Sequence, residues 1–166
     1  MKKPCSEKVA SYDTLQRENQ PHGLDIDISQ FHDGKIRLEI FNDAHIEALS
    51  TKAQDARIWK HHGECLEDPK VYQSVRLEKA KKDIAKKTRY KFVIFLYNEV
   101  IGATSYYDVD VKHLTMKIGY TWLHPDYWGQ GINPKVKKIY LKQVKNVNFP
   151  KNSSININKL KKILKK

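Results

Sequence analysis

Three β-rich runs, Tyr90 to Leu96, Val100 to Tyr107 and Leu114 to Leu123, follow one another with only a few residues between them. Parallel neighbours need a crossover of about a dozen residues or more, so connections this short predict an antiparallel meander. Asn98 marks the first turn, and the polar stretch Asp108 to Lys112 the second. Upstream, Ile36, Leu38 and Ile40 alternate with Arg37 and Glu39, the period of a half-buried strand. Asn42 or Asp43 then caps a helix carrying Ile46 and Leu49. Residues 57 to 70 mix aromatic and titratable side chains around Gly63 and read as a loop, at whose end Asp68 and Pro69 open a second helix. Its apolar stripe is Val71, Val75, Leu77, Ala80 and Ile84. A third helix follows the meander through Val136, Ile139, Tyr140 and Val144. Helices flanking a mostly antiparallel sheet make an α+β fold.

The chain has 166 residues, 40% of them hydrophobic, which suits one domain with one modest core. Residues 1–30 read as a polar leader, 31–145 as the folded domain and 146–166 as a tail rich in Lys, Asn and Ile. No window approaches eighteen consecutive apolar residues, and Met1, Lys2, Lys3, Pro4 and Cys5 do not start a secretory signal, so a soluble cytoplasmic protein is expected. Cys5 and Cys65 are then expected as reduced thiols. The net charge is +12, but eleven of the 31 Lys and Arg lie in residues 134–166, where there is no acid. Before that point twenty basic residues face nineteen acidic ones, so the domain is near neutral and a nucleic-acid partner is not expected for it.

One stretch carries recognisable chemistry. The third meander strand ends at His124, Pro125, Asp126, Tyr127, Trp128, Gly129, Gln130, Gly131, Ile132, Asn133 and Pro134, where the third helix begins. A strand, a glycine-containing turn and a helix start bring together main-chain N–H groups that lack intrahelical partners, and the helix dipole adds positive potential there. Glycines let a phosphate approach the backbone because no Cβ intervenes. The stretch is not a Walker loop, since no Gly-Lys-Ser/Thr follows, nor a dinucleotide fingerprint, since the third glycine is missing and the preceding strands read antiparallel.

The run Ile118, Gly119, Tyr120, Thr121, Trp122, Leu123, His124, Pro125, with Tyr127, Trp128, Gly129, Gln130, Gly131, Ile132, Asn133 and Pro134, resembles the acetyl-CoA segment of the GNAT N-acetyltransferases, in the branch of the RimJ and RimL type. The similarity extends from about Phe31 to about Lys142 and includes Ile58, Trp59 and Ile101 to Ser105. It implies a GNAT-like, mostly antiparallel sheet flanked by helices, with transfer of acetyl from acetyl-CoA to a primary amine such as a protein N-terminus or a small molecule. The family's pyrophosphate motif, Q/R-x-x-G-x-G/A, would fall on Trp128 to Asn133, keeping Gly131 but placing Trp128 and Asn133 at its outer positions. By the same resemblance Trp128, Gly129, Gln130, Gly131, Ile132 and Asn133 hold the pyrophosphate, while the backbone of Thr121, Trp122 and Leu123 pairs with the pantetheine arm. The Leu123 amide is the expected donor to the thioester oxygen.

The base and acid of such a reaction stay unassigned. His124 stands beside the expected thioester position, and His61, His62 and Glu64 belong to the segment that would line the acceptor cleft. His titrates near neutrality and suits proton transfer from an amine. His124 has a structural alternative, capping the turn with Asp126. A zinc site at His61, His62 and Cys65 lacks a second ligand pair at finger spacing, so no metal is expected. Tyr106 and Tyr107 read as packing residues, and Trp122 and Trp128 as core or wall. Relatives often use a Tyr on a later helix as the acid, yet no Tyr follows Tyr140. Twenty-four residues follow Lys142, fewer than the family's closing strands need, so those strands are expected to be missing and the uncovered sheet edge to favour a homodimer. Two other classes remain open: an impaired remnant that binds CoA at most, and a nucleic-acid or membrane binder acting through the tail, where Ile157, Leu160, Ile163 and Leu164 fall at helical spacing among lysines.

Overall fold

The computed structural model describes residues 31–60, 66–86, 88–110 and 115–146. Four strands form one antiparallel sheet in sequential order: β1 (Ile36–Ile40), β2 (Arg89–Leu96), β3 (Glu99–Asp110) and β4 (Thr115–Leu123). The expected meander is present, with its second connection shifted, because β3 pairs as far as Asp110 opposite Thr115 instead of turning at Asp108. Leu114 lies outside the described residues.

Side chains alternate across the sheet, so each strand feeds two cores. On one face Ile36, Leu38, Ile40, Tyr90, Phe92, Ile94 and Tyr106 pack with Val136, Ile139 and Tyr140 of α5 (Ile132–Asn146). The Tyr106 hydroxyl donates to the Tyr140 carbonyl at 2.9 Å, and the two rings meet edge to face with centroids 4.5 Å apart. On the other face Val93, Phe95, Ala103 and Trp122 pack beneath the remaining helices. These are α1 (Ile46–Lys52), α2 (Ala56–Trp59), α3 (Pro69–Tyr72) and α4 (Glu78–Ala85), with a π-helical segment Gln73–Leu77 between the last two.

Asn42 caps as expected, accepting from the Ala44 amide while His45 Nδ1 accepts from the Asn42 amide, though the first turn is a 3-10 turn that precedes α1. Two expectations are corrected. Part of the stretch read as a loop is the single-turn helix α2: Asp55 accepts from the Arg57 amide at 2.9 Å, Ile58 and Trp59 are buried, and the Trp59 indole donates to the Ala53 carbonyl at 2.7 Å. A short polar cap and two inward apolar side chains outweigh the mixed composition. The second correction concerns the stripe on the next helix. Leu77 and Ala80 are buried as expected, but Val71 and Val75 are exposed, and Tyr72 is buried in their place. Tyr72 and Leu77 stand five residues apart, and the π-helical segment absorbs the additional residue, keeping both on the inner face.

The β3–β4 pairing carries the feature that shapes the site. Ala103 faces Trp122 and Ser105 faces Gly119, so two steps along β3 are matched by three along β4. The surplus residue is a β-bulge, and within it Tyr120 takes φ = 51°, the left-handed region.

Candidate functional site

The turn after β4 is built from its own side chains. His124 Nδ1 accepts from the Asp126 amide at 3.4 Å, Pro125 opens a 3-10 turn, and the Trp128 amide donates to the Pro125 carbonyl at 3.0 Å. The Trp128 indole donates to the Leu123 carbonyl at 2.8 Å, tying the turn back to the end of β4. Gln130 Nε2 donates to the Asp126 carbonyl at 2.7 Å. Gly129 and Gly131 lie at φ = 73° and 71°, and an added Cβ at either would meet nothing within 4 Å. The turn therefore needs glycine for backbone conformation while leaving open space outside it.

Among the described residues, the main-chain N–H groups of Gly129, Gln130 and Gly131 have no protein acceptor, and α5 adds the partnerless amides of its first turn. Pro134 contributes none. The Trp128 amide and the Gln130 side chain are already engaged, which narrows the expected phosphate cradle to the stretch from Gly129 to Asn133. A pocket of about 470 Å³ opens here, lined by Ile58, Thr121, Trp122, Leu123, Tyr127, Trp128, Gly129, Gly131, Ile132, Asn133 and Pro134. Free amides, glycine clearance and a fifteen-residue helix behind them fit a diphosphate. Ile132 itself is 5% exposed and points into the core, so its contribution is confined to its backbone.

A second, larger cavity of about 920 Å³ adjoins the first and shares Thr121, Trp122 and Asn133 with it. Trp59 and Tyr72 form its aromatic side, meeting Trp122 with ring centroids 5.8 and 6.0 Å away. Arg76, Arg89 and Lys91 also line it. Arg89 donates to the Ser105 hydroxyl and lies 3.7 Å from Asp83, with its guanidinium 4.1 Å above the Tyr120 ring. Burial, with Arg89 and Arg76 nearby, pulls the Lys91 ammonium down to about 7. Burial likewise lowers Arg89 below its ordinary value. Sequence reasoning passed over these cations because Arg89 and Lys91 alternate with Tyr90 and Phe92, the pattern of a strand with one wet face. Helices α3 and α4 cover that face instead.

His124 packs against the Tyr127 ring, stands 3.4 Å from Asp126 and lines neither cavity. His61, His62 and Glu64, with Cys65, lie outside the described residues, as do residues 1–30 and 147–166. Among the described residues no group of three or more His, Cys, Asp or Glu is placed to hold a metal ion, and no helix is long and apolar enough to cross a membrane. Tyr106 is buried as expected, and Trp128 forms a half-exposed wall.

The family model of the acetyltransferase (GNAT) domain matches residues 35–159, and the chain belongs to that family. Solved structures share the fold. Spermidine N-acetyltransferase from Vibrio cholerae, in complex with CoA and spermine, is 14% identical with a TM-score of 0.54, covering 68% of this chain and 64% of that one. RimL, a ribosomal alpha-N-protein acetyltransferase, is 18% identical with a TM-score of 0.58, covering 73% and 66%. The microcin self-immunity acetyltransferase MccE, in complex with acetyl-CoA and AMP, is 18% identical with a TM-score of 0.56, covering 68% and 63%. The chain thus spans about two thirds of the length of these neighbours. No curated protein sequence matches it.

Proposed function

We propose that the chain transfers the acetyl group of acetyl-CoA to a primary amine. The observation that carries this reading is the row of partnerless amides at Gly129 to Gly131, opening into a pocket that shares a wall with a second cavity large enough for an acceptor. The neighbours' complexes with CoA or acetyl-CoA support the same cosubstrate.

The roles divide along that wall. The amides of Gly129, Gln130, Gly131 and the first turn of α5 hold the pyrophosphate, assisted by the helix dipole. The bulge at Tyr120 shifts the β3–β4 register by one residue, Trp122 and Leu123 still pair with Ala103 and Gly102, and on its other edge the backbone of Thr121 to Leu123 pairs with the pantetheine arm as an added strand would. The Leu123 amide donates to the thioester oxygen as it becomes an oxyanion. The neutral amine attacks the acetyl carbon, a C–N bond forms, and the C–S bond breaks, with the sulfur taking a proton. Tyr140 does not supply that proton, since its ring is fully buried among Phe31, Phe92 and Tyr106. A protein N-terminus and a small-molecule amine both present the required nucleophile.

Calorimetry with acetyl-CoA, paired with thiol release in the presence of an amine panel, tests the proposal. Binding and amine-dependent release are expected. An absence of acetyl-CoA binding removes the reading.

A further inference from the structure

We infer that Lys91 is the base of the reaction, its Nζ taking the proton of the acceptor ammonium inside the larger cavity, directly or through one water. This rests on the acetyl-transfer reading and gives that site the base it still lacks. An amine attacks a thioester only with its nitrogen lone pair free, and alkyl amines are protonated at neutral pH, so a proton acceptor has to share the acceptor's space. The groups that ordinarily serve are absent there: among the described lining residues of the cavity there is no Asp, Glu, His or Cys. Arginine does not give up its proton, which excludes Arg76 and Arg89. A phenol already carries its proton at neutral pH, which sets aside Tyr72, Tyr107 and Tyr120. Asp108, 2.7 Å from Lys117, holds that ammonium protonated, and Lys137 is exposed, without the burial that frees an ammonium of its proton.

Lys91 differs from all of these. It is 2% exposed, the Phe41 ring lies 5.8 Å from its Nζ, and among the described residues no carboxylate comes within 4 Å of it. The acids nearby serve other cations: Asp83 of α4 stands 3.7 Å from Arg89, and Glu39 of β1 takes Arg37 and His45 at 2.6 and 3.2 Å. Arg89 also donates to Ser105, the residue in register opposite Lys91 on β3. Burial first, and then the like charges of Arg89 and Arg76, bring Lys91 to about 7, so near neutrality much of its Nζ has a free lone pair. The cavity is lined by Trp59 and Tyr72 on the face of the sheet that Lys91 shares, and by Lys137 and Leu141 of α5 on the other. It also shares Thr121, Trp122 and Asn133 with the pocket of the phosphate turn, so an acceptor meets the Nζ and the thioester in one continuous space. The ammonium gives one proton to Lys91, and the freed lone pair forms the C–N bond. The C–S bond breaks with its electron pair on sulfur, and a second proton of the attacking nitrogen passes to the sulfur. Lys91 returns its proton to water, leaving an amide and a thiol.

Calorimetry with acetyl-CoA addresses acetyl transfer alone. Thiol release is then followed against pH in the wild-type chain and in Lys91→Met, with butylamine, a cation at neutral pH, and with trifluoroethylamine, whose nitrogen is already neutral there. For butylamine the wild-type kcat/KM is expected to rise through an apparent value near 7 and then level off. In Lys91→Met it should fall about a hundredfold at neutral pH and keep rising toward the amine's own titration, with acetyl-CoA affinity unchanged. The loss with trifluoroethylamine should stay below about threefold, since that amine needs no base. Equal losses with the two amines, or a limb near 7 that persists in the variant, overturn the assignment while acetyl transfer stands. Should no amine turn over, the native chain is labelled with a trace of acetic anhydride at a series of pH values and each lysine is read by mass spectrometry. Labelling of Lys91 that rises through about 7, ahead of the exposed lysines, supports a reachable neutral amine in the cavity, and labelling that rises only with theirs, or not at all, overturns it.

Discussion

At Gly102 a side-chain carbon would clash with the Trp122 carbonyl oxygen and stand 3.0 Å from Leu123, so β3 and β4 approach as closely as they do only because no Cβ is there. Gly102→Ala is expected to lower stability by about 2 kcal/mol or more, read from the midpoint of urea unfolding, because β4 has to move to admit the methyl group. Gly131→Ala is expected to act differently. Its space is open, but φ = 71° disfavours any L side chain, so the turn shifts and acetyl-CoA affinity falls at least tenfold in calorimetry with circular dichroism unchanged. Lys91 sets a pH dependence. Its folded-state value, about 7, lies below its ordinary 10.5, so the unfolded chain binds more protons between these limits. The burial penalty is fully present below about pH 7 and is relieved as pH rises toward 10.5. Lys91→Met should accordingly stabilise the chain more at pH 6 than at pH 10, as paired denaturation curves would show.

Elements were legible in the sequence to the degree that one local force set them. The period-two run of β1, the β-rich runs of β2 to β4 and the Asn42 and Asp68 caps depend on neighbours only a few residues away, and they stand where expected save that β3 runs on to Asp110. Asp68→Ala should cost about 1 kcal/mol of stability in the same urea assay, since its carboxylate accepts from both the Lys70 and Val71 amides. The π-helical segment and α2 were not legible, because each depends on distant aromatic partners: Tyr72 and Trp59 settle against Trp122, far along the chain. The phosphate turn could be read from its glycines and the helix behind it. Its cationic neighbour could not, since Arg76 and Arg89 meet at Tyr120 only after the bulge has turned that ring.

For the molecule as a whole, the sheet joins two cores. The turn before α5 opens the smaller pocket, and the larger cavity is lined from both sides of the sheet, by Trp59 and Tyr72 on one and by Lys137 and Leu141 of α5 on the other. Among the described residues no strand pairs with the outer edge of β4. A ligand bound only by the folded chain stabilises it by mass action, so acetyl-CoA at about a hundred times its Kd should add about 2.7 kcal/mol and raise Tm by several degrees. Gly131→Ala, binding at least tenfold more weakly, should cut that increment to about 1.4 kcal/mol or less at the same ligand concentration in a thermal melt.

Trp128 stands half exposed over the turn while its indole nitrogen is held by the Leu123 carbonyl at the end of β4. An indole so placed is a natural optical sensor. A nucleotide thioester settling beside it would change the polarity and hydrogen bonding around the ring, and the emission of the native chain would report occupancy without a dye or an added label.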